Sequence, residues 1–263
     1  MKKLADRIKH YEKCYGFIIP PRTYTVVRVD GRGFSKFTKK MQKPFDPDFS
    51  EAMNDAAVEM CKTFNPAFAY TQSDEITLVF TDFGENQEAI FKGKVQKICS
   101  LTAARATASF NKKLTILRAQ KYQDCTDLSK NLLSGDLIVN VEFDSRVFVI
   151  PDIKEVANCM VWRQQDATRN SISMAADALY SHKELHGKSS DDKQEMMFQK
   201  GVNWNDYATK YKRGAIIKKV EFEHPIPNSD ETTTRKKWVV DYNTPIFTQN
   251  WDYLYDLIPS LCD

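Results

Sequence analysis

The sequence predicts an α+β fold: a ferredoxin-like split βαβ antiparallel sheet with helices on one face, followed by a helical and β-hairpin appendage. Three observations carry this. Tyr24 to Val29 is a strand-like run that ends in a glycine turn, Gly31-Arg32-Gly33. Phe49, Met53, Ala56, Ala57 and Met60 recur at helical spacing behind the start signals Pro47 and Asp48. Tyr70 to Phe80 is a second strand-like run, rich in β-branched and aromatic residues.

Taken in order, residues 4–14 have the charge mixture of a short helix. In the first strand Thr25, Val27 and Val29 share one face, and Val26, Arg28 and Asp30 share the other. The valines then pack on the helices while Arg28 and Asp30 point to an open face. Tyr70 to Phe80 reads either as one long strand or as a tight hairpin turning at Gln72 to Glu75. A helix is expected from Gln87 to about Phe110, and a further strand within Leu137 to Ile150. Beyond Pro151 the texture changes. A long helical stretch covers Asp152 to His182, and another helix begins near Ser189 and Ser190, with Asp191 and Asp192 complementing its first turn. Strands follow at Ile216 to Glu223 and Trp238 to Tyr242, joined by a polar turn holding Pro225, Pro227 and Asn228. A last helix, Trp251 to Ile258, stops at Pro259. No repeat or low-complexity linker interrupts the chain, so residues 1–263 are expected to form one domain, with the sheet in 1–150 and the appendage in 151–263.

Composition frames the function classes. With 263 residues, 42% hydrophobic and 28% charged, the chain reads as an ordinary globular protein able to bury a full core. A net charge of +3 does not by itself indicate a polyanionic partner. The six cysteines (14, 61, 99, 125, 159 and 262) are scattered without a CxxC pair, which favours reduced thiols over a disulfide framework or zinc site. No apolar run reaches membrane-spanning length, and Met1-Lys2-Lys3 lacks the apolar core of a secretory signal. The expectation is no membrane partner and a cytoplasmic setting, with the mitochondrion as the alternative.

Chemistry concentrates in Asp30 of "VVRVDGRGFSKF" and the pair Asp74–Glu75 of "AYTQSDEITLVF". Strands that bring Asp30 and Asp74 side by side would build a cage of hard oxygen ligands of the kind Mg²⁺ favours. Two such ions can clamp the attacking and leaving oxygens of a phosphoryl or nucleotidyl transfer. The bland alternative is a strand-end Asp serving only as a turn residue beside Gly.

The segments "VVRVDGRGFSKF", "QKPFD", "QSDE", "FDSRVFVIP", "WRQQD", "DDKQEMMF", "VNWND" and "YKRG" stand in the order found in tRNA(His) guanylyltransferases and their relatives, the 3′–5′ polymerases. The chain resembles that family from about residue 22 to about residue 215. The resemblance implies a polymerase-palm fold, with residues 1–150 its catalytic part, that adds nucleotides to the 5′ end of a tRNA. ATP or GTP would activate that end, and a nucleoside triphosphate would then be joined to it. It also implies two Mg²⁺ ions held by Asp30, the Gly31 carbonyl and Asp74, with Glu75 as a catalytic neighbour, and a homotetramer. Backbone N–H groups of Gly31, Arg32, Gly33, Phe34 and Ser35 would cradle a triphosphate. Ser73, Lys43, Asp46, Lys94, Lys97 and Asn203 match nucleotide-contacting positions.

One departure points to a branch. Where eukaryotic members carry His-Ile-Asn-Asn, this chain reads Thr168-Arg169-Asn170-Ser171. The sequence therefore looks more like the guanylyltransferase-like branch, which repairs truncated tRNA 5′ ends using the opposite strand of the acceptor stem as template. The alternatives are a true tRNA(His) guanylyltransferase, a palm-fold nucleotide cyclase, or an RNA-binding module without turnover. Other features have plain readings. Lys94 and Lys97, or Lys36, Lys39, Lys40 and Lys43, suit a solvated face. Tyr211-Lys212-Arg213 could meet RNA phosphates or flank a strand, and Arg235-Lys236-Lys237 reads as an edge-strand charge run. His182 and His186 have metal-pair spacing but no evident third ligand.

Overall fold

The computed structural model describes residues 3–261 except 86, 123–124, 134, 136 and 226–231. Helix α1 (Leu4–Lys13) precedes strand β1 (Tyr24–Gly31), the short α2 (Phe34–Phe37) and the long α3 (Pro47–Phe64). Strands β2 (Phe68–Gln72) and β3 (Glu75–Phe80) form the hairpin, followed by α4 (Val95–Ala119), α5 (Cys125–Leu133) and β4 (Phe143–Ile150). The second part comprises α6 (Ile153–Asp177), α7 (His182–Leu185), α8 (Ser190–Gln199), α9 (Thr209–Arg213), β5 (Ala215–Pro225), β6 (Thr232–Asp241) and α10 (Trp251–Tyr255).

All six strands join one antiparallel sheet in the order β4-β1-β3-β2-β5-β6. Strand alternation divides the core as expected. Val27 and Val29 pack with Ile76 and Leu78 beneath α3 and α4, where Met53, Ala56, Ala57, Met60 and Phe110 are buried. Val26 turns the other way, with Tyr70, Val79 and Ile216, onto Val156, Ala157 and Met160 of α6 and Leu254 of α10. The second face is thus covered by the appendage, not open along its length as the strand pattern alone suggested. The reason is in the strands: Val26, Tyr70 and Val79 give that face enough apolar area to need a cover.

Local chemistry sets the boundaries. Asp46, not Asp48, caps α3 by accepting the Phe49 N–H, and Pro47 takes the first helical position. Asn65 ends that helix in a left-handed conformation. The helix expected from Gln87 starts only at Val95, because Phe91, Lys92 and Gly93 all carry positive φ. It then runs on to Ala119. Asp152 caps α6, and the helical stretch beyond it breaks after Asp177 before Ser181 and Glu184 form a capping box for α7. The turn with Pro227 and Asn228 lies outside the described residues. Among the described residues no helix is long and apolar enough to cross a membrane.

Candidate active site

The two carboxylate motifs meet at one end of the sheet. Asp30, near the end of β1, stands opposite Glu75 at the start of β3 and opposite Asp144 of β4. Asp74 occupies the tight turn between β2 and β3, so the hairpin reading of Tyr70 to Phe80 holds. The Gly31 N–H donates to the Asp74 carbonyl at 3.1 Å, which ties that turn to the end of β1. Ser73 takes the turn at φ 46° without being glycine.

Electrostatics mark the pair. Burial raises the Asp74 carboxyl, and repulsion from Asp30 raises it further, against opposing hydrogen bonds within the turn. Two carboxylates that repel each other in a half-buried place, beside the Gly31 backbone, form a donor set of hard oxygens. Among the described residues no three Asp, Glu, His or Cys side chains gather into a cluster. That composition fits Mg²⁺, which takes one or two carboxylates and completes its shell with water and phosphate oxygens.

Glu75 points away from this pair into the sheet–α6 interface. It is 6% exposed and accepts from Arg163 at 2.9 Å, with Arg28 at 3.6 Å. Burial raises its carboxyl and the two guanidinium groups lower it, burial being the larger effect. Arg163 is the site residue that sequence reasoning missed. Its signal was present in "WRQQD" on a helix face that packs on the sheet, because a buried Arg requires a buried acid.

The Gly31 to Ser35 turn is fixed from beneath. A Cβ on Gly31 would lie 2.4 Å from the Phe34 ring, and Phe34 is buried among Phe37, Phe49, Phe110 and Phe143. Gly33, at φ +69°, sits just before α2. The N–H groups of Gly33, Phe34 and Ser35 have no acceptor among the described residues, as expected at a helix start. The Arg32 N–H is not left for a triphosphate: it donates to the Glu142 carbonyl at 2.9 Å, while the guanidinium pairs with the Glu142 carboxylate at 2.5 Å on the surface.

Two clefts open from the turn. The wider, about 1100 Å³, runs from Ser73 and Asp74 past Ser35 and Thr38 to Gln42 and Lys43. The narrower lies between α3, β2, α6 and α9 and reaches Asn54, Gln72 and Tyr211. They share Asp46, Phe49, Ser73, Asn170 and Met174. Asp46 lines both while its oxygens accept the Phe49 and Gln42 N–H groups at 2.9 and 3.1 Å. Asn170 is the residue kept in register in the departing segment of α6.

Other expected contacts are not brought here. Lys94 and Lys97 line a separate cavity of about 900 Å³ with Phe17 and Ile18. The course of α4 explains this. Thr107 bonds the Phe143 N–H at 3.1 Å and Thr102 bonds Ser145 at 2.8 Å, so the helix start lies toward the opposite end of β1 from Asp30. Asn203 lines neither cleft and instead accepts the Asn205 N–H at 3.0 Å as a cap. Lys212 donates to the Asn205 carbonyl and lies over the Trp204 ring, with burial lowering its ammonium. His182 and His186 stay on the surface.

A sequence profile of tRNAHis guanylyltransferase matches residues 5–151. A bacterial tRNA(His) guanylyltransferase-like protein in complex with ATP shares 33% identity, a TM-score of 0.81, and 98% of this chain against 99% of its own. One in complex with GTP shares 31% identity and a TM-score of 0.75 over 97% of this chain and 99% of its own. A probable tRNA(His) guanylyltransferase of Dictyostelium discoideum is 27% identical over 92% of this chain and 93% of its own. The palm-like sheet, its paired carboxylates and these likenesses agree: the chain belongs to the tRNA(His) guanylyltransferase family of nucleotidyltransferases.

Proposed function

We propose that this protein is a template-dependent 3′–5′ nucleotidyltransferase that adds nucleotides to the 5′ end of truncated tRNA. The observation that carries the reading is the meeting of Asp30 and Asp74 beside a turn of unoccupied N–H donors, at the mouth of a cleft that ends at Lys43. The relatives' complexes with ATP and GTP support nucleotides as its substrates. The departing segment at Thr168 to Ser171 favours repair over obligatory G addition.

In this reading the 5′-monophosphate of the tRNA is first joined to a nucleotide from ATP or GTP, releasing pyrophosphate. The 3′-hydroxyl of an incoming nucleoside triphosphate then attacks that 5′ phosphorus. A new phosphodiester bond forms, the activating nucleoside monophosphate leaves, and the hydroxyl proton goes to solvent. The N–H groups of Gly33, Phe34 and Ser35 and the ammonium of Lys43 bind phosphate oxygens. Asp30, the Gly31 carbonyl and Asp74 would hold Mg²⁺, which when bound acidifies the hydroxyl and offsets phosphate charge. Glu75, held by Arg163 and Arg28, keeps the start of β3 and hence the Asp74 turn in place. Each step is positioning plus charge stabilisation, with no protein nucleophile.

The test offers Mg²⁺, all four nucleoside triphosphates and two RNAs: a tRNA lacking its first nucleotide and an intact processed tRNA(His). Extension of the truncated tRNA by the base complementary to the opposite strand is expected, and Asp30→Ala should lower that rate by about three orders of magnitude or more. Addition of G to intact tRNA(His) alone would make it a guanylyltransferase instead. Near-normal rates in Asp30→Ala would remove the metal assignment. The reading includes a homotetramer, for which α1 offers Leu4, Ile8 and Tyr11 exposed along one face. Light scattering at the monomer mass would count against it.

A further inference from the structure

Lys36, Lys39 and Lys40 stand beside the wider cleft and take no part in the chemistry described above. We propose that they form a docking band for the phosphate backbone of an RNA duplex, holding the paired stem behind the reacting 5′ end. The proposal rests on the nucleotidyl-transfer reading for naming RNA as the partner, while charge and position alone define the band.

Helix α2 and the single tight helical turn that follows it, Thr38–Lys40, are rooted in the core. Phe34 is buried, and the half-buried Phe37 packs on Phe34 and Phe110 at ring separations of 5.5 and 6.3 Å. The Thr38 hydroxyl donates to the Phe34 carbonyl at 2.9 Å. The element is therefore held in place, and its two sides differ. Ser35, Thr38 and Met41 line the wider cleft, while Lys36, Lys39 and Lys40 are exposed outside it. Residues three and four apart share a side of such a turn, so the three ammonium groups repel one another. Arg118 of α4 lies over the Phe37 ring at 5.5 Å and extends the band.

Charge sets this surface apart. No acidic residue occurs from Arg32 to Phe45. The acids that follow are engaged elsewhere: Asp46 caps α3, Asp48 pairs with Lys121 and Glu51 pairs with Lys113. Among the described residues Lys36, Lys39, Lys40 and Arg118 have no carboxylate within ion-pair distance. Without Lys36, Lys39, Lys40 and Lys43 the formal net charge of +3 would turn negative, so the positive excess of the chain is concentrated here. Unpaired cations that repel one another on a fixed element are relieved by a polyanion. Lysine supplies point charges, which bind phosphates without reading bases. Phe34, Phe37 and Phe45 are buried or half-buried, so an unpaired strand finds no exposed ring on which to stack its bases. Paired RNA, recognised through its shape and phosphates, fits instead.

The test reads binding without turnover, by fluorescence anisotropy over a series of salt concentrations. Two labelled 5′-phosphorylated RNAs are compared, a hairpin copying an acceptor stem and a single-stranded trinucleotide with the same 5′ end. The triple variant Lys36→Gln, Lys39→Gln, Lys40→Gln should flatten the logarithmic salt dependence of hairpin binding by about two units of slope. Trinucleotide binding should stay as in the wild type, and the corresponding Lys→Arg triple should keep the wild-type slope for the hairpin. A control triple removes the same charge from exposed lysines elsewhere, Lys9→Gln, Lys154→Gln, Lys183→Gln, and should leave the slope unchanged. The proposal is overturned if the band variant keeps the wild-type slope, if the control flattens it equally, or if the trinucleotide is weakened as much as the hairpin. A protein that holds the hairpin through these lysines but extends no truncated tRNA would refute the proposed function and leave the band standing. One that extends truncated tRNA while the band variant binds the hairpin as the wild type does would do the reverse.

Discussion

At Asp74 burial and the neighbouring Asp30 act in the same direction, both favouring the protonated acid. A carboxyl whose folded pKa lies above its unfolded one binds its proton more tightly when folded. Its contribution to stability is therefore greatest below the ordinary carboxylate range and is lost as pH rises through the raised value. Asp74→Asn should consequently melt higher than the wild type at neutral pH, with the difference vanishing in acid, while nucleotide addition is abolished. Thermal melts across pH check this. Mg²⁺ should raise the melting temperature of the wild type and leave that of Asp74→Asn unmoved, since the ion relieves a repulsion the variant lacks. Asp30 and Asp74 were legible as candidates because they stand at strand ends beside turn residues. Arg163 was not, because its role depends on α6 folding over a face that strand alternation alone leaves open.

The element that matters here is the β1–α2 turn. Phe34 was read from sequence as part of a backbone cradle, yet its ring is also the floor on which Gly31 rests. A methyl group at Gly31 would meet that ring at 2.4 Å, and the surrounding Phe37, Phe49, Phe110 and Phe143 leave it no room to retreat. Gly31→Ala should cost about 1–3 kcal/mol, typical of overpacking in a filled core. Calorimetry would measure it, and a neutral result would mean that the turn yields instead of the ring. Sequence pattern placed β1, α3 and the β2–β3 hairpin close to their observed limits, because apolar period and capping residues act locally. It misplaced the start of α4, where positive φ at the non-glycine residues Phe91 and Lys92 leaves no compositional trace. Lys94 and Lys97 stand toward the other end of the sheet from Asp30 because α4 runs along β4 from that end.

Across the molecule, the two sequence halves share one sheet, since β5 pairs with β2 and carries β6 beyond it. They also meet at the active-site cleft through Phe45 and Tyr211, a stacked pair from the loop before α3 and from α9. A double-mutant cycle on Phe45→Ala and Tyr211→Ala should return a coupling of about 0.5–1.5 kcal/mol in stability. Additive effects would show that this stack does not couple the two halves. This pairing was beyond the reach of sequence, because contacts between residues so far apart along the chain follow from tertiary packing and not from local period.

The register of β1 has a consequence for how such a chain can change over time. Val27 and Val29 face α3 and α4 while Arg28 and Asp30 face the other way, so both the core and the chemistry are written on a single strand with a repeat of two. Losing one residue between Val27 and Asp30 would either bury the carboxylate under the helices or expose the valines. Insertions and deletions are therefore barred from this stretch more strictly than substitutions are.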